Sequence, residues 1–231
     1  MNAILGYVYE NNEYYRFSSS TVGFLNPDPS KQLVGNAENP NIGASEYKSQ
    51  NQKNSTYFST TFTIADDLII DLAGRLENST TVSDQVFYPS AQVGYIANDA
   101  QEGTLSFLKL RASYGEVGIS PSLYLNRSTF GPSTAGSEGW GDYIDGANYG
   151  GTSRRSSVQG NPNLTVEKVT EYEVGADARF FDNSFTVGLT YYDRLTTDCI
   201  LSLEAHQSTW FSSLDDNVVD IPTTGIEFYF T

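Results

Sequence analysis

The sequence predicts an all-β chain, an antiparallel up-and-down transmembrane β-barrel segment of about eight strands. Three observations predict it. Apolar residues recur at alternate positions, as in extended chain with two unlike faces. Nothing in the chain has helical spacing. Shorter polar turns and longer joins alternate between the extended segments.

The strands follow in order. Leu5, Tyr7 and Tyr9 alternate with Ile4, Gly6 and Val8, so the first has two apolar faces. In the second, Phe58, Thr60, Phe62 and Ile64 oppose Ser59, Thr61 and Thr63. The third sets Leu68, Ile70, Leu72 and Leu76 against Asp71, Ala73, Arg75 and Glu77. The fourth places Pro89, Ala91, Val93 and Tyr95 against Ser90, Gln92 and Gly94. The fifth and sixth are sharper: Leu108, Leu110, Ala112 and Tyr114 against Lys109, Arg111 and Ser113, then Tyr172, Val174, Ala176, Ala178 and Phe180 against Glu171, Glu173, Asp177 and Arg179. A helix would scatter those last four charges around its circumference. The seventh sets Phe185, Val187, Leu189 and Tyr191 against Thr186, Gly188, Thr190 and Tyr192, and the eighth sets Ile226, Phe228 and Phe230 against Glu227 and Tyr229.

Ala65-Asp66-Asp67 and Asp182-Asn183-Ser184 read as hairpin turns, and Asn98 to Gly103 as a modest one. Glu10–Asn54, Asn78–Gln85, Glu116–Val166 and Leu203–Asn217 read as the longer loops. In an up-and-down sheet the short turns then share one end and the long loops the other. Outer-membrane barrels have this asymmetry, with short periplasmic turns and long extracellular loops.

Composition narrows the function. With 28 acidic and 13 basic residues the net charge is −15, which argues against a nucleic-acid partner. An aromatic content of 13% is too high for a disordered acidic tail. One Cys excludes an internal disulfide framework, and one His excludes a multi-His metal site. No stretch approaches the roughly 20 apolar residues of a spanning helix, and the residues after Met1 lack the basic and apolar blocks of a signal peptide.

A soluble, carbohydrate-binding β-sandwich is the rival, since it alternates too. Two features favour the membrane. Glu167–Phe181 and Ser184–Asp198 are longer than the typical sandwich strand of about 5–6 residues. Aromatics also cluster at the ends of the apolar rows, among them Phe62, Tyr95, Phe107, Tyr114, Tyr172, Phe180, Tyr191 and Tyr192, as in interfacial girdles. Lys109, Arg111, Glu171, Glu173, Asp177 and Arg179 then face a wet lumen, because Lys or Arg at mid-bilayer costs about 2–4 kcal/mol. A third reading is a self-contained small barrel of structural or adhesive role. It requires the first strand, Ala3–Tyr9, to pair with the last, Gly225–Phe230.

The stretch Leu105-Ser106-Phe107-Leu108-Lys109-Leu110-Arg111-Ala112-Ser113-Tyr114-Gly115-Glu116-Val117-Gly118 resembles a barrel strand of the SusC/RagA-like TonB-dependent outer-membrane transporters. So do Gly160-Asn161-Pro162-Asn163-Leu164, the run Thr170-Glu171-Tyr172-Glu173-Val174-Gly175, Tyr191-Tyr192-Asp193-Arg194 and Phe87-Tyr88-Pro89-Ser90. The resemblance covers roughly Ser55 to Thr231, and more loosely Ala3 to Tyr9. It implies a bacterial outer-membrane barrel of about 22 strands around a plug, lipid on its outside, importing oligosaccharides or peptides. It also implies a SusD-like surface lipoprotein lid and TonB as partners, with no enzymatic activity and no cofactor. The sequence shows no plug, no TonB-contact segment and no signal peptide. Residues 1–231 are therefore expected to be a truncated, C-terminal part of the barrel domain, not transport-competent alone.

Candidate chemistry is sparse. Ser45-Glu46-Tyr47-Lys48 fits Ser-x-x-Lys formally, without its accompanying motifs. His206 and Cys199 stand alone, as a polar loop residue and a passive strand residue. Asp142 and Asp145, or Asp215 and Asp216, lack the full ligand series of a calcium loop. The Gly-, Ser- and Tyr-rich loop Glu116–Val166 is the best place for ligand contact. Trp140, Tyr143 and Tyr149 offer faces for sugar rings, and Arg154 and Arg155 offer pairing to acidic groups. The same residues would serve equally to pack the loop on itself or on its neighbours, and Trp210 shares that ambiguity.

Overall fold

Adjacent strands pair in the register that the alternation demands. The computed structural model describes residues 1–25, 28, 30, 37–100, 103–133 and 152–231. Its strands are β1 (Asn2–Phe24), β2 (Ala37–Ile64), β3 (Leu68–Ser79), β4 (Val86–Asp99), β5 (Leu105–Ile119), β6 (Phe130–Ser133), β7 (Thr152–Arg155), β8 (Val158–Gln159), β9 (Glu167–Phe180), β10 (Phe185–Glu204) and β11 (Ser213–Phe230). One sheet runs β1-β2-β3-β4-β5-β9-β10-β11-β8, and β6 pairs with β7 in a second. From β2 to β11 the neighbours are antiparallel, and only the short β8 lies parallel to β11.

The pairing gathers side chains into rows. Phe228, Leu189, Ala176, Leu110, Tyr95 and Leu68 stand side by side across six strands. Ile226, Tyr191, Val174, Ala112, Val93, Ile70 and Phe62 form the next row. On the opposite face the corresponding row is Glu227, Thr190, Gly175, Arg111 and Gly94.

The apolar rows are bare. Leu110 is 45% exposed, Val174 54% and Leu189 49%. Among the described residues no second sheet covers them, so the sandwich fails: its apolar face would be dry. Residues this exposed need a non-aqueous neighbour, and hydrocarbon is the one that accepts a face of this kind. Two aromatic levels frame the face. Phe180 lies 6.4 Å from Phe185 near the short turns, and Tyr114 lies 5.0 Å from Tyr172 toward the long loops. Beyond the second level, Lys168 and Glu116 pair at 3.0 Å on the same face, where polar groups become affordable. Among the described residues no helix is long and apolar enough to cross a membrane.

The turns have left-handed backbone where strand twist requires it. Ala65 and Asp66 have φ of 52° and 65°, and Phe181, Asp182 and Asn183 have 52°, 56° and 66°. Gly103, at φ 103°, donates its N–H to the Asp182 carboxylate at 2.7 Å. The wholly buried Ser106 accepts from the Asn183 N–H at 3.2 Å. Adjacent short turns are thus locked to each other at one end of the sheet.

Several expectations need correction. Glu10–Asn54 is not simply a loop, since β1 continues to Phe24 and β2 begins at Ala37. Residues Glu10–Gln52 form a separate compact unit, apart from Met1–Tyr9 with Lys53–Thr231. Within it Lys48 pairs with Glu13, Gln50 donates to Asn11 at 2.8 Å, and Tyr14 lies 6.0 Å from Tyr47. The Glu13 carboxylate holds the Lys48 amine above its usual range. Tyr14, Tyr15 and Phe17 are all exposed, so no buried face imposes an alternation there. β10 and β11 also overrun the expected loop Leu203–Asn217, leaving only residues 205–212 between them. The loop Glu116–Val166 carries β6, β7 and β8. Phe107 and Tyr192 do not belong to the apolar girdle: their partners are Arg179 and Glu173, on the ionic face. Among the described residues β1 and β11 do not pair with each other, so no closed eight-strand barrel forms and the sheet has two free edges.

Candidate functional site: an ionic wall and a loop clasp

The polar face of the sheet is cross-linked. Arg111, central on β5, reaches across β9 to Asp177 at 3.3 Å and Glu173 at 3.7 Å, and donates to the Thr190 hydroxyl on β10 at 2.5 Å. Gly175, directly opposite, leaves the space: a Cβ there would sit 2.9 Å from the guanidinium carbon. Tyr229 donates to Asp177 at 3.1 Å, and Ser113 to Glu173 at 3.4 Å. Arg194 binds Glu171. Glu171, Glu173 and Asp177 each have a cation or hydroxyl within reach, as charges in a wet lumen do.

Tyrosines lie down on this wall where a neighbouring strand supplies glycine. A Cβ on Gly188 would fall 2.0 Å from the Tyr229 ring, one on Gly225 2.4 Å from the Tyr192 hydroxyl, and one on Gly118 2.1 Å from the Tyr88 hydroxyl. Removing one side chain opens a slot into which a ring from the next strand folds flat.

Among the described residues two hollows on the wall stand out. One, of about 500 Å³, is lined by Asp71, Gln92, Ser113, Glu171 and Arg194. The other, of about 450 Å³, is lined by Tyr57, Ser59, Arg75, Glu77, Tyr88 and Ser90. In the second, Glu77 is held by Arg75 at 2.8 Å and Lys53 at 3.2 Å.

At the long-loop end, the Gly160-Asn161-Pro162-Asn163-Leu164 stretch works as a clasp. Asn161, 8% exposed, donates from Nδ2 to the Asp215 carbonyl at 3.1 Å and the Asp216 carboxylate at 2.8 Å. Its own oxygen accepts from the Asn163 N–H at 3.0 Å, closing an Asx turn. Asn217 completes the fastening, accepting from the Thr165 N–H at 3.0 Å and donating to the Asp198 carbonyl at 2.6 Å. Leu164 and Val166 are buried beneath it. The base of the longest loop is thereby tied to β10 and β11.

The candidate ligand residues divide. Trp140, Tyr143 and Tyr149, with Asp142 and Asp145, lie outside the described residues, as does the side chain of Arg154. Arg155 stacks 3.9 Å from the Phe211 ring centroid and donates to the Thr209 carbonyl at 3.4 Å. Trp210 is 87% exposed. His206 caps a short 3₁₀ turn, accepting from the Ser208 N–H at 3.3 Å. Asp216 is occupied by Asn161 and by the Asn217 N–H, and among the described residues no group of three or more His, Cys, Asp or Glu could hold a metal. Lys48 of the Ser-x-x-Lys stretch is bound to Glu13. The sequence reading identified Arg111, Glu173 and Asp177 as lumen-facing, but it missed Thr190 and Tyr229 as their counterparts, Arg75 as the partner of Glu77, and Asn217 as the tie to Thr165 and Asp198. Only the pairing register brings those together.

A two-faced sheet with short turns at one end and clasped loops at the other matches, over residues 3–227, the family model described as TonB dependent receptor-like, beta-barrel. The chain belongs to the TonB-dependent receptor-like β-barrel family. Barrels of this family reside in the bacterial outer membrane. A curated relative, TonB-dependent receptor P26 of Formosa agariphila, is 28% identical over 94% of this chain, which spans 21% of that receptor's length. Among solved structures, the RagAB peptide importer in its "open-open" state superposes with a TM-score of 0.80 at 20% identity, over 99% of this chain and 24% of its own. The siderophore receptor PirA from Pseudomonas aeruginosa has a TM-score of 0.53 at 16% identity, over 83% of this chain and 32% of its own. These likenesses establish the fold.

Proposed function

We propose that this TonB-dependent receptor segment forms part of the pore wall and outer rim of a SusC/RagA-type importer of oligosaccharides or peptides. One observation carries the reading: a nine-stranded sheet with bare apolar rows on one face, a cross-linked ionic wall on the other and, among the described residues, two free edges. A free edge exposes unpaired N–H and C=O groups, and in hydrocarbon those groups need partners. The segment therefore works inside a larger barrel and is not transport-competent alone. Its role is non-catalytic. The name of the RagAB peptide importer supports the peptide class.

The clasp holds the base of the longest loop in one place. Trp140, Tyr143, Tyr149, Arg154 and Arg155 of that loop then make the first contacts with incoming solute, beneath a SusD-like surface lipoprotein. TonB engages the parent protein from the other side of the membrane. The test is uptake of fluorescent oligosaccharides and peptides by cells carrying the full-length protein, with and without TonB. TonB-dependent uptake, lowered about tenfold when Trp140, Tyr143 and Tyr149 are all Ala, is the expected result. A full-length protein recovered in the outer membrane that takes up neither class would defeat the proposal.

A further inference from the structure

The 450 Å³ hollow has the features of a binding subsite. Its floor is small: Ser59, Ala73, Ser90 and Gly115. On one side Arg75 and Tyr88 are direct cross-strand partners. Tyr88 is only 8% exposed, and its hydroxyl has no hydrogen-bond partner. The Arg75 Nε is likewise enclosed and unpartnered, while Nη2 is taken by Glu77 and by the Ser55 hydroxyl, each at 2.8 Å. Two unused donors on paired residues are uncommon, because buried polar groups normally find partners.

The charge at this place is unusual for the chain. Lys53 and Arg75 bring two positive charges against the single negative charge of Glu77, a local surplus of +1 in a chain of −15. Glu116 also lines the hollow, but its carboxylate is held by Tyr114 and Lys168. A group that offers acceptors only, carries one negative charge and is flat would satisfy both donors and the charge together. A carboxylate has those three properties.

We propose that the Arg75–Tyr88 hollow is a carboxylate-recognition subsite on the pore wall, taking the free carboxylate of a translocating solute. Arg75 supplies the charge and Nε; Tyr88 supplies its hydroxyl as the ring lifts from Gly118. The carboxylate is either a peptide C-terminus or that of an acidic sugar. This inference rests on the importer reading and sharpens its substrate class.

The experiment uses the full-length protein in detergent and titrates two probe pairs by calorimetry. One pair is a short peptide with a free C-terminus and the same peptide amidated. The other is an oligogalacturonate and its methyl ester. The expected result is that the free acid of one pair binds about tenfold or more tighter than its neutral counterpart. Arg75→Gln removes that preference without weakening the neutral probe, and Tyr88→Phe reduces it. The pair that discriminates identifies the source. Tyr88→Phe keeps the ring over Gly118 and so serves even if Arg75→Gln fails to assemble. Equal binding of acid and neutral probes, or an acid preference that survives both substitutions, overturns the subsite and leaves the importer intact. Failure of all four probes to bind, with no uptake in cells, overturns both.

Discussion

Leu110→Arg tests the membrane assignment most directly. Leu110 is 45% exposed at the centre of a row running from Phe228 through Leu189 and Ala176 to Tyr95. If that row faces mid-bilayer, an Arg there costs about 2–4 kcal/mol, whereas near the interface it costs about 0–1. Leu195 provides the interfacial comparison: it lies on the same face of the sheet, two residues beyond Asp193, and is 39% exposed. At about 1.36 kcal/mol per decade, Leu110→Arg shifts the folding equilibrium roughly 30- to 900-fold and Leu195→Arg about fivefold at most. Leu110→Phe costs little against fluid lipid, but about 1–3 kcal/mol in a packed interior. The assay is denaturant unfolding of the full-length protein in phospholipid vesicles, followed by heat-modifiable mobility. Equal costs for Leu110→Arg and Leu195→Arg would refute the depth argument. A costly Leu110→Phe would place this face against protein.

Further substitutions test the wall and the rim. Gly188→Ala would push a methyl carbon to 2.0 Å from the Tyr229 ring, destabilising by about 1–3 kcal/mol; adding Tyr229→Ala should recover much of the loss in the same unfolding assay. Asn161→Ala leaves the Asp216 carboxylate without its 2.8 Å donor and opens the Asx turn, costing about 1–3 kcal/mol. Limited proteolysis should then cut the loop between β5 and β9 faster, while the β9–β10 turn keeps its original rate. Cys199, beyond the apolar band on β10, is 8% exposed, and burial followed by Glu167 and Asp220 pushes its thiol up. Since the thiolate is the nucleophile, maleimide labelling of native protein should be slow at neutral pH and accelerate as pH rises. Rapid labelling at neutral pH would show that the site is open.

The strands were legible wherever one face meets hydrocarbon and the other meets water. Glu171, Glu173, Asp177 and Arg179 declared β9 because burial in lipid permits no charge on the alternate positions. The same rule misplaced Phe107 and Tyr192, since an aromatic ring is acceptable on either face and its parity alone is weak information. It was silent for Glu10–Phe24 and Ala37–Gln52, where Tyr14, Tyr15, Phe17 and Tyr47 are exposed and impose no alternation. The Asn161 stretch was legible as a motif but not as a fastening, because its partners Asp215 and Asp216 lie 54 and 55 residues away.

The amino-acid order by itself determined the two-faced strands and the short turns, both of which depend on neighbouring residues. Tertiary structure alone decided which glycine receives which tyrosine, which carboxylates Arg111 serves, and that Arg75 and Tyr88 stand together with donors to spare. Those depend on strand register, and sliding one strand by a single residue would turn every side chain to the other face.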